Sequence, residues 1–587
     1  MLKSLLVSTI LRVRRLLPPG FSRRSVWMII ALLVNAFLEL AGIGALIPFF
    51  IAIVEKDSLE SGWLAQLYDF TGFSSPASFI VALGVAIFLF IILKNLLGLA
   101  ISKFQANYSF GLFSYFACEM QKEAYQRGFS FFSSTNSNII FRDINIITLN
   151  FAQLLVLPLL NLFTEIVIVL LIVVGIILYD FRAVFLLLLL VPFFALFYRL
   201  VRKKIVDMSL EVKDLQAETH KNLYQSIFGY VDVVMNNNEK WFFDQYRNNV
   251  NRLKELRAWQ FVYNLMPSKV IESAVILAVL VIMAYGFVFL DSRTELVMLL
   301  GVFGVAAYRV IPSINRMMMA LMNIRSYQYT IDFMERVNSV EDADLKLNSS
   351  AISPLKMNDE FRVKQVNFSY EDSDDMVING VDLKVERGEC IGVIGKSGSG
   401  KTTLMNLMLG FLKPQLGAIE IDGVKLDETN IRNWRETAGY VRQEVFLVDG
   451  TLAENIALGF AEVDLGRVQE VAKKASLTEL IEKLPQGIDT PVGERGAMIS
   501  GGQRQRVGIA RALYSGAKVL FFDEATSALD SETEEEITEA IHHLSDEKVT
   551  IVIVAHRHST LKYCDRIYEL EDGRVKAIHE GYEALGK

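Results

Sequence analysis

Two hydrophobic patterns divide the chain. Up to about residue 325 the apolar residues form long runs, and six of them reach the roughly 20 residues that a helix needs to cross a bilayer. The runs cover residues 25–54, 77–102, 152–179, 183–201, 268–290 and 296–325. After a polar linker at 336–358, short apolar strands alternate with helices, which is typical of an α/β domain with a largely parallel sheet. We therefore predict a multidomain membrane protein, with an all-α domain of six transmembrane helices over 1–335 and an α/β domain over 359–587.

The charges that flank the runs predict the orientation of the chain. The basic residues before the first run are Lys3, Arg12, Arg14, Arg15, Arg23 and Arg24, whereas the loop after it is mainly acidic. Basic residues collect on the cytoplasmic side of a membrane, so the N-terminus is expected there. Six spans return the chain to the same side, which predicts a cytoplasmic α/β domain. The segments at 103–151 and 202–267 are long, polar and poor in Pro and Gly, which favours helices that continue beyond the membrane.

Composition excludes several classes of protein. Hydrophobic residues make up 52% of the chain and charged residues 21%, which excludes a disordered chain. The net charge of −7 gives no basic excess, so no nucleic-acid partner is expected. The three cysteines, Cys118, Cys390 and Cys564, form no CxxC pair, which argues against a disulfide framework or a cysteine metal site.

A phosphate-binding loop begins at Gly395. The segment Gly395-Lys-Ser-Gly-Ser-Gly-Lys401-Thr402 fits the P-loop pattern GxxxxGK[ST], between an apolar strand and an apolar helix. Glycines allow backbone N–H groups to surround phosphate oxygens, and the helix N-terminus favours their negative charge. Lys401 would neutralise the β- and γ-phosphates, and the Thr402 hydroxyl would bind Mg²⁺. The residues predicted to contact ATP here are Gly395, Ser397, Gly398, Ser399, Gly400, Lys401, Thr402 and Thr403.

Two carboxylates end a second apolar strand. In Val519-Leu-Phe-Phe-Asp523-Glu524, Asp523 is placed to hold Mg²⁺ through water, as a Walker-B aspartate does. Glu524 points the other way and could polarise the attacking water. The sequence thus predicts a site that hydrolyses ATP with Mg²⁺ as cofactor.

Further motifs identify a family. The segment Ile499-Ser500-Gly501-Gly502-Gln503 resembles the LSGGQ signature of ATP-binding-cassette (ABC) proteins, with Ile in place of Leu. The other matches are Gln443 with the Q-loop glutamine, Ser527-Ala-Leu-Asp530 with the D-loop, His556 with the switch histidine and Tyr370 with the aromatic residue that stacks on adenine. Their order over about 200 residues makes the resemblance specific.

The resemblance implies roles for these residues and a partner. Glu524 and His556 would be catalytic, whereas Thr402, Gln443 and, through water, Asp523 would bind Mg²⁺. The signature residues and Asp530 would contact ATP. In the family, each nucleotide lies between one cassette's P-loop and the signature of the facing cassette. One chain has one of each, so the resemblance implies a homodimer with two complete sites. Six spans followed by one cassette resemble the exporter-type (type IV) half-transporter.

Charged residues within the predicted spans bear on the cargo. Lys94, Lys269 and Arg309 are basic, and such residues in a membrane usually face a cavity or a partner. A cationic cavity suggests an anionic cargo. The alternatives are that the lysines extend to the cytoplasmic headgroups, or that they pair with Glu39, Glu165 or Glu272 across helices.

A second resemblance narrows the cargo. The segment Ala307-Tyr-Arg309-Val-Ile-Pro312-Ser-Ile-Asn-Arg316 resembles the sixth span of the lipid-linked oligosaccharide flippases of bacterial protein N-glycosylation. In that family, basic cavity residues bind the pyrophosphate of the lipid. Arg309 falls on one such position, and Lys94 and Lys269 lie near two others. The resemblance implies a flippase for a polyprenyl-pyrophosphate oligosaccharide or a similar anionic glycolipid, in a bacterial inner membrane.

Two alternatives remain open on the sequence. One is an exporter of another lipid, a peptide or a drug, which an uncharged cavity would favour. The other is a membrane-anchored ABC ATPase that transports nothing, against which the intact catalytic residues argue.

Overall fold

The computed structural model describes residues 2–45, 49, 63–179, 191–289, 293–338, 355–370, 375–525 and 531–586. These divide into two compact units: Met1–Arg127 with Phe131–Leu345, and Gly128–Ser130 with Lys346–Lys587. The first unit is helical and the second is α/β. Residues 183–190 of the predicted fourth run, 183–201, fall outside the described residues, and the rest of the run is helical.

The first unit consists of long helices. Their bounds are α1 Leu2–Leu16, α2 Pro19–Gly44, α3 Trp63–Thr71, α4 Pro76–Ser134, α5 Ser137–Phe141, α6 Thr148–Asn150, α7 Leu157–Tyr179, α8 Val191–Phe228, α9 Tyr230–Met235, α10 Glu239–Phe289, α11 Arg293–Ser326 and α12 Tyr329–Asn338. Two π-helical stretches, Arg142–Ile147 and Phe151–Val156, adjoin α6. The helical path of α4 breaks at Gly128, whose φ of 70° is one that glycine adopts without a steric penalty.

Several of these helices are long and apolar enough to cross a membrane. Among the described residues they lie within Pro19–Gly42, Pro76–Ser134, Ser137–Gly175 and Glu239–Val281. The helices α4 and α10 have 59 and 51 residues, far more than the roughly 20 that span a bilayer. Such lengths agree with the interpretation that the polar segments are helical extensions beyond the membrane.

A buried apolar cluster joins the beginning of this unit to its end. It contains Val13 and Leu16 of α1, Leu112 of α4, and Ile331 and Met334 of α12. Arg12 of α1 adds ion pairs to Asp332 and Glu335 of α12, both at 2.5 Å. The N-terminal helix is therefore fixed to the helix that follows α11.

The second unit contains two sheets. Its strands are β1 Glu360–Phe368, β2 Ile378–Glu386, β3 Cys390–Gly395, β4 Leu416–Ile421, β5 Val424–Lys425, β6 Ala438–Val441, β7 Val519–Asp523, β8 Thr550–Val554, β9 Arg566–Glu571 and β10 Arg574–Glu580. One sheet has the order β2-β1-β4-β5 and is antiparallel. The other has the order β10-β9-β3-β8-β7-β6, and all of its strands except β10 run parallel.

Helices flank the sheets. Their bounds are α13 Lys401–Met408, α14 Ile431–Arg435, α15 Leu452–Ile456, α16 Leu465–Lys474, α17 Thr478–Lys483, α18 Gly501–Tyr514 and α19 Ser531–Asp546. The indole of Trp434 stacks on Phe361 and donates to the Met408 carbonyl at 3.0 Å, which fixes the antiparallel sheet to α13. The predicted strand at 390–394 and the helix that begins at Lys401 are both present.

Candidate nucleotide-binding site

The P-loop lysine is buried between β3 and α13. Lys401 is 5% exposed, and its Nζ donates to the carbonyls of Gly395 at 2.8 Å and Lys396 at 3.0 Å. Burial lowers the pKa of this ammonium, and the negative charges of Glu524 and Asp523 oppose that effect. The side chain therefore closes the loop on itself and lies near both carboxylates.

Two P-loop positions require glycine. Gly395 and Gly400 have φ values of 156° and 96°. A Cβ at Gly395 would lie 2.3 Å from the Leu570 carbonyl oxygen, and one at Gly400 would lie 2.8 Å from that of Val377. Because both neighbours are backbone atoms, they could not move away. These glycines thus allow the loop to approach the backbone of Leu570 in β9 and of Val377 just before β2.

Two buried oxygen atoms test whether ATP and Mg²⁺ fit this site. Neither Ser399 Oγ nor Asp523 Oδ1 has a hydrogen-bond partner among the described residues. Buried polar atoms normally have partners. Burial raises the pKa of Asp523, and a hydrogen bond of 3.0 Å from the Tyr440 hydroxyl to Oδ2 opposes the rise. Unpartnered oxygens on a P-loop serine and a strand-end aspartate fit a phosphate group and a hydrated cation.

Glu524 and His556 meet because their strands are neighbours. In the parallel pair of β7 and β8, Asp523 lies opposite Val554, so the residues after both strands meet at the same sheet edge. Glu524 has a φ of 50°, and its N–H donates to the Val554 carbonyl at 2.9 Å. Its carboxylate lies 2.7 Å from His556 Nε2. The predicted catalytic pair is thus in contact.

The signature segment begins α18. Ser500 is the N-cap: its hydroxyl accepts from the Gln503 N–H at 3.3 Å, and the Gln503 side chain accepts from the Ser500 N–H at 2.9 Å. This capping box fixes the direction of the helix N-terminus. A Cβ at Gly502 would lie 2.0 Å from Thr533 Cγ2 of α19, so this glycine permits close helix packing.

A cavity of about 650 Å³ brings some of the predicted residues together. Gln443, Gly501 and Glu524 line it, together with Arg442 and Gln505. The amide of Gln505 donates to the Arg442 carbonyl at 3.1 Å and also to that of Gln443, which anchors the Q-loop segment to α18.

Other predicted residues lie away from this cavity. The hydroxyl of Tyr370 is 3.1 Å from Thr403 Oγ1, and its ring is 43% exposed, as a surface for stacking requires. Ser397, Gly398 and Thr402 belong to the P-loop and the start of α13. Asp530 lies outside the described residues, as does the side chain of Arg309.

The two lysines among the predicted cargo residues have partners in the first unit. Lys94 Nζ lies 3.0 Å from Glu39 Oε2, and Lys269 Nζ lies 3.1 Å from Glu272 Oε2. The Lys94–Glu39 pair joins α4 to α2, as the alternative interpretation predicted, whereas Lys269 and Glu272 pair within α10. The Lys94 side chain is 14% exposed, whereas that of Lys269 is 78% exposed. Glu165 pairs with Arg316 rather than with a lysine.

Two functional candidates escaped the sequence analysis. Tyr440 is the penultimate residue of β6, beside β7, and Glu534 lies buried in the first turn of α19. Tyr440 belongs to the same sequence segment as Gln443. Had the pairing of β6 with β7 been predicted, it would have indicated that Tyr440 contacts Asp523. No local pattern marks Glu534.

Comparison with known proteins agrees with this geometry. Residues 378–527 match the family model described as ABC transporter. This part of the chain therefore resembles the ATP-binding domain of ABC transporters. Similar proteins include the ATP-dependent lipid A-core flippases of Alkalilimnicola ehrlichii (47% identical over 212 residues) and Saccharophagus degradans (43% over 213 residues). Each match covers 36% of this chain and 36% of the relative, so the chain spans about a third of their length.

Two further similarities extend beyond the ATPase domain. An uncharacterized ABC transporter ATP-binding protein of Bacillus subtilis, YwjA, is 38% identical over 281 residues, which are 48% of this chain and 46% of that protein. The structure of a bacterial Atm1-family ABC exporter with ATP bound matches 96% of both chains, with a TM-score of 0.75 and 22% identity. The predicted fold class is confirmed: the chain has the ABC exporter fold, with a helical membrane domain and an ATPase domain.

Proposed function

We propose that the protein is an ATP-driven exporter that moves an anionic glycolipid from the inner to the outer leaflet of a bacterial inner membrane. The contact between Glu524 and His556 carries the proposal, because it joins an acid–base pair to an ABC ATPase domain on a chain with the exporter fold. The N-terminus and the ATPase domain would be cytoplasmic. The specific candidate cargo is a polyprenyl-pyrophosphate oligosaccharide.

Hydrolysis would use residues around β3, β7 and β8. Lys401 would hold the phosphate charge, because its ammonium is already fixed inside the P-loop. Glu524 would orient and polarise the attacking water, and His556 would hold the Glu524 carboxylate in position. Thr402, Gln443 and, through water, Asp523 would hold Mg²⁺, which supplies charge neutralisation for the phosphates when bound.

A second copy of the chain would complete the site. The Ser500–Gln503 segment is at the N-terminus of α18, where N–H groups and the helix dipole favour a phosphate. A chain supplies one P-loop and one such segment, so two facing chains would form two nucleotide sites. ATP would then drive export by binding the closed dimer more tightly than the open one, since only differential affinity shifts a conformational equilibrium.

The proposal that the cargo is anionic depends on Arg309 more than on Lys94 and Lys269. Lys94 and Lys269 each have a carboxylate partner, which reduces the positive charge that they offer to a headgroup. Arg309 carries the motif on which the flippase resemblance rests, and a guanidinium binds phosphate through two parallel hydrogen bonds. The flippase names of the similar proteins support a lipid cargo.

The second candidate is an exporter of another lipid, a peptide or a drug. The ion pairs Glu39–Lys94 and Glu165–Arg316 favour it, because they use basic residues of the predicted spans for helix packing. An ATPase without transport is disfavoured by the Glu524–His556 contact together with the exporter fold.

The test is stimulation of ATP hydrolysis in lipid nanodiscs. Wild-type protein would be assayed with a polyprenyl-pyrophosphate oligosaccharide, a lipid A-core preparation, a neutral glycolipid or no addition. We expect an anionic glycolipid to stimulate wild type and the Arg247→Ala control, in which an exposed arginine of α10 is removed. Stimulation should be lost in Arg309→Ala. Equal stimulation by the neutral glycolipid would instead favour the second candidate, and the absence of any hydrolysis would refute an active transporter.

A further inference from the structure

Glu534 binds the loop that follows the switch histidine. This residue is in the first turn of α19 and is 6% exposed. Its carboxylate accepts from Ser559 Oγ at 2.5 Å and from Thr560 Oγ1 at 3.3 Å, and it forms an ion pair with the Arg557 guanidinium. All three donors lie within four residues after His556. One buried carboxylate therefore holds most of this loop.

The contacts explain why an ionised carboxylate is stable there. A buried charge is unfavourable unless hydrogen bonds and an opposite charge compensate it. Burial raises the pKa of Glu534, but the donors from Ser559, Arg557 and Thr560 outweigh burial, and the pKa lies below its usual range. Loss of this charge would leave the Arg557 guanidinium and two hydroxyl groups without their common acceptor.

Glu534 acts from a fixed position. The preceding residue, Thr533, packs closely against Gly502. A Cβ atom added to Gly502 would overlap the Thr533 side chain. Glu536 forms an ion pair with Arg506 of α18, and Arg506 also donates to the Ser476 carbonyl at 2.8 Å. The first turns of α19 are thus attached to α18 on one side and to the 557–560 loop on the other.

His556 needs such support because its own packing is loose. Its side chain is 39% exposed, and among the described residues its one hydrogen-bonding contact is with Glu524 at 2.7 Å. β8 ends at Val554, so the sheet fixes the backbone only up to the preceding residues. The direction of the imidazole therefore depends on the backbone that follows it.

We propose that Glu534 is a positioning residue for His556: by holding residues 557–560 against α19, it keeps the imidazole aimed at Glu524. The proposal rests on the ATP hydrolysis proposed above. Glu534 does not touch the reacting atoms, and its effect passes through His556 alone.

The test is a double-mutant cycle on the full-length protein. Glu534→Gln keeps the shape of the side chain and removes its charge, and Glu535→Gln makes the same change at the exposed neighbouring position. We expect Glu534→Gln to lower kcat by up to about 100-fold, the loss that a displacement of about 1 Å can cause. The KM for ATP should not change. Glu534→Asp should recover part of the activity, and Glu535→Gln should match wild type.

The His556→Ala background separates positioning from general damage. If Glu534 acts through His556, then Glu534→Gln adds nothing to the loss already present in His556→Ala. The proposal would be overturned if Glu534→Gln lowered kcat by the same factor in wild type and in His556→Ala. It would also be overturned if Glu534→Gln left the wild-type kcat unchanged. If Glu534→Gln fails to fold, Ser559→Ala replaces it, because that substitution removes one hydrogen-bond donor to Glu534. Ser559→Ala must then lower kcat in wild type, by a smaller factor, and add nothing in His556→Ala.

A second readout does not need hydrolysis. Spectra of ¹³C-histidine-labelled protein contain a His556 resonance that is identified by its loss in His556→Ala. Glu534→Gln should shift or broaden this resonance, and Glu535→Gln should leave it unchanged. An unaltered resonance refutes the positioning role even in an inactive protein. Wild type without ATPase activity but with the expected spectral change would refute the proposed function alone.

Discussion

The hydroxyl of Tyr440 donates a hydrogen bond of 3.0 Å to Oδ2 of Asp523 and leaves Oδ1 without a partner among the described residues. The tyrosine is the penultimate residue of β6, the strand beside β7, and lies three residues before Gln443 of the Q-loop. One hydrogen bond therefore orients the carboxylate that would bind hydrated Mg²⁺ and links it to the Q-loop.

Tyr440→Phe should weaken Mg²⁺ binding. The substitution removes the donor to Asp523 and keeps the ring, so folding should be preserved. We expect the Mg²⁺ concentration for half-maximal ATPase activity to rise about tenfold, the lower end of the effect of losing an outer-shell hydrogen bond. The measurement is ATP hydrolysis against free Mg²⁺, with Mn²⁺ binding by electron paramagnetic resonance as a direct check. Tyr582→Phe, at an exposed tyrosine, is the control. An identical Mg²⁺ dependence in Tyr440→Phe and the control would contradict this role.

The Glu39–Lys94 ion pair predicts a compensating double mutant. Lys94→Met removes the ammonium partner of the Glu39 carboxylate in a segment of α2 and α4 that is expected in the membrane. Loss of a charged hydrogen bond costs on the order of 2 kcal/mol, so the melting temperature should fall. Adding Glu39→Gln removes the carboxylate charge that Lys94 no longer balances and should recover most of the stability.

Transport by the same variants separates packing from cargo binding. If Lys94 serves helix packing, Lys94→Met with Glu39→Gln should transport as wild type does. If the Lys94 charge also binds the cargo, the double mutant should be stable and should still transport less than wild type. A double mutant no more stable than Lys94→Met would contradict the ion pair itself.

The contact of α1 with α12 predicts a pH-dependent stability. The hydrogen bond from Arg12 lowers the pKa of Glu335 below its usual 4.5. A carboxyl with a lowered pKa in the folded state stabilises the protein above the unfolded pKa, and this contribution is lost as the pH falls through the folded value. The Glu335 side chain is 38% exposed, so solvent screening limits the effect to less than about 1 kcal/mol.

Arg12→Met tests that prediction. At pH 7 the variant should melt below wild type, and the difference should shrink as the pH is lowered from about 4.5. Arg14→Met, which changes a neighbouring arginine of α1, is the matched control. A difference between Arg12→Met and wild type that is constant down to pH 3 would contradict the role of Glu335.

Local sequence predicted the elements that consecutive residues determine. The P-loop from Gly395 to Thr402 lies between β3 and α13 as predicted, because glycine spacing and a following apolar helix are local properties. The resemblance implied separate catalytic roles for Glu524 and His556, and their contact follows from the order of β7 and β8, which the sequence analysis did not use. The partners of Asp523 and Lys94 were beyond local patterns, because Tyr440 and Glu39 are distant in sequence.

The most direct test of the account is lipid movement in proteoliposomes. A fluorescent polyprenyl-pyrophosphate oligosaccharide would be followed across the bilayer with ATP for wild type, Glu524→Gln and Arg309→Ala. The account predicts movement by wild type, loss of both hydrolysis and movement in Glu524→Gln, and loss of movement with basal hydrolysis retained in Arg309→Ala. Wild-type protein that hydrolyses ATP and leaves this lipid in place would contradict it.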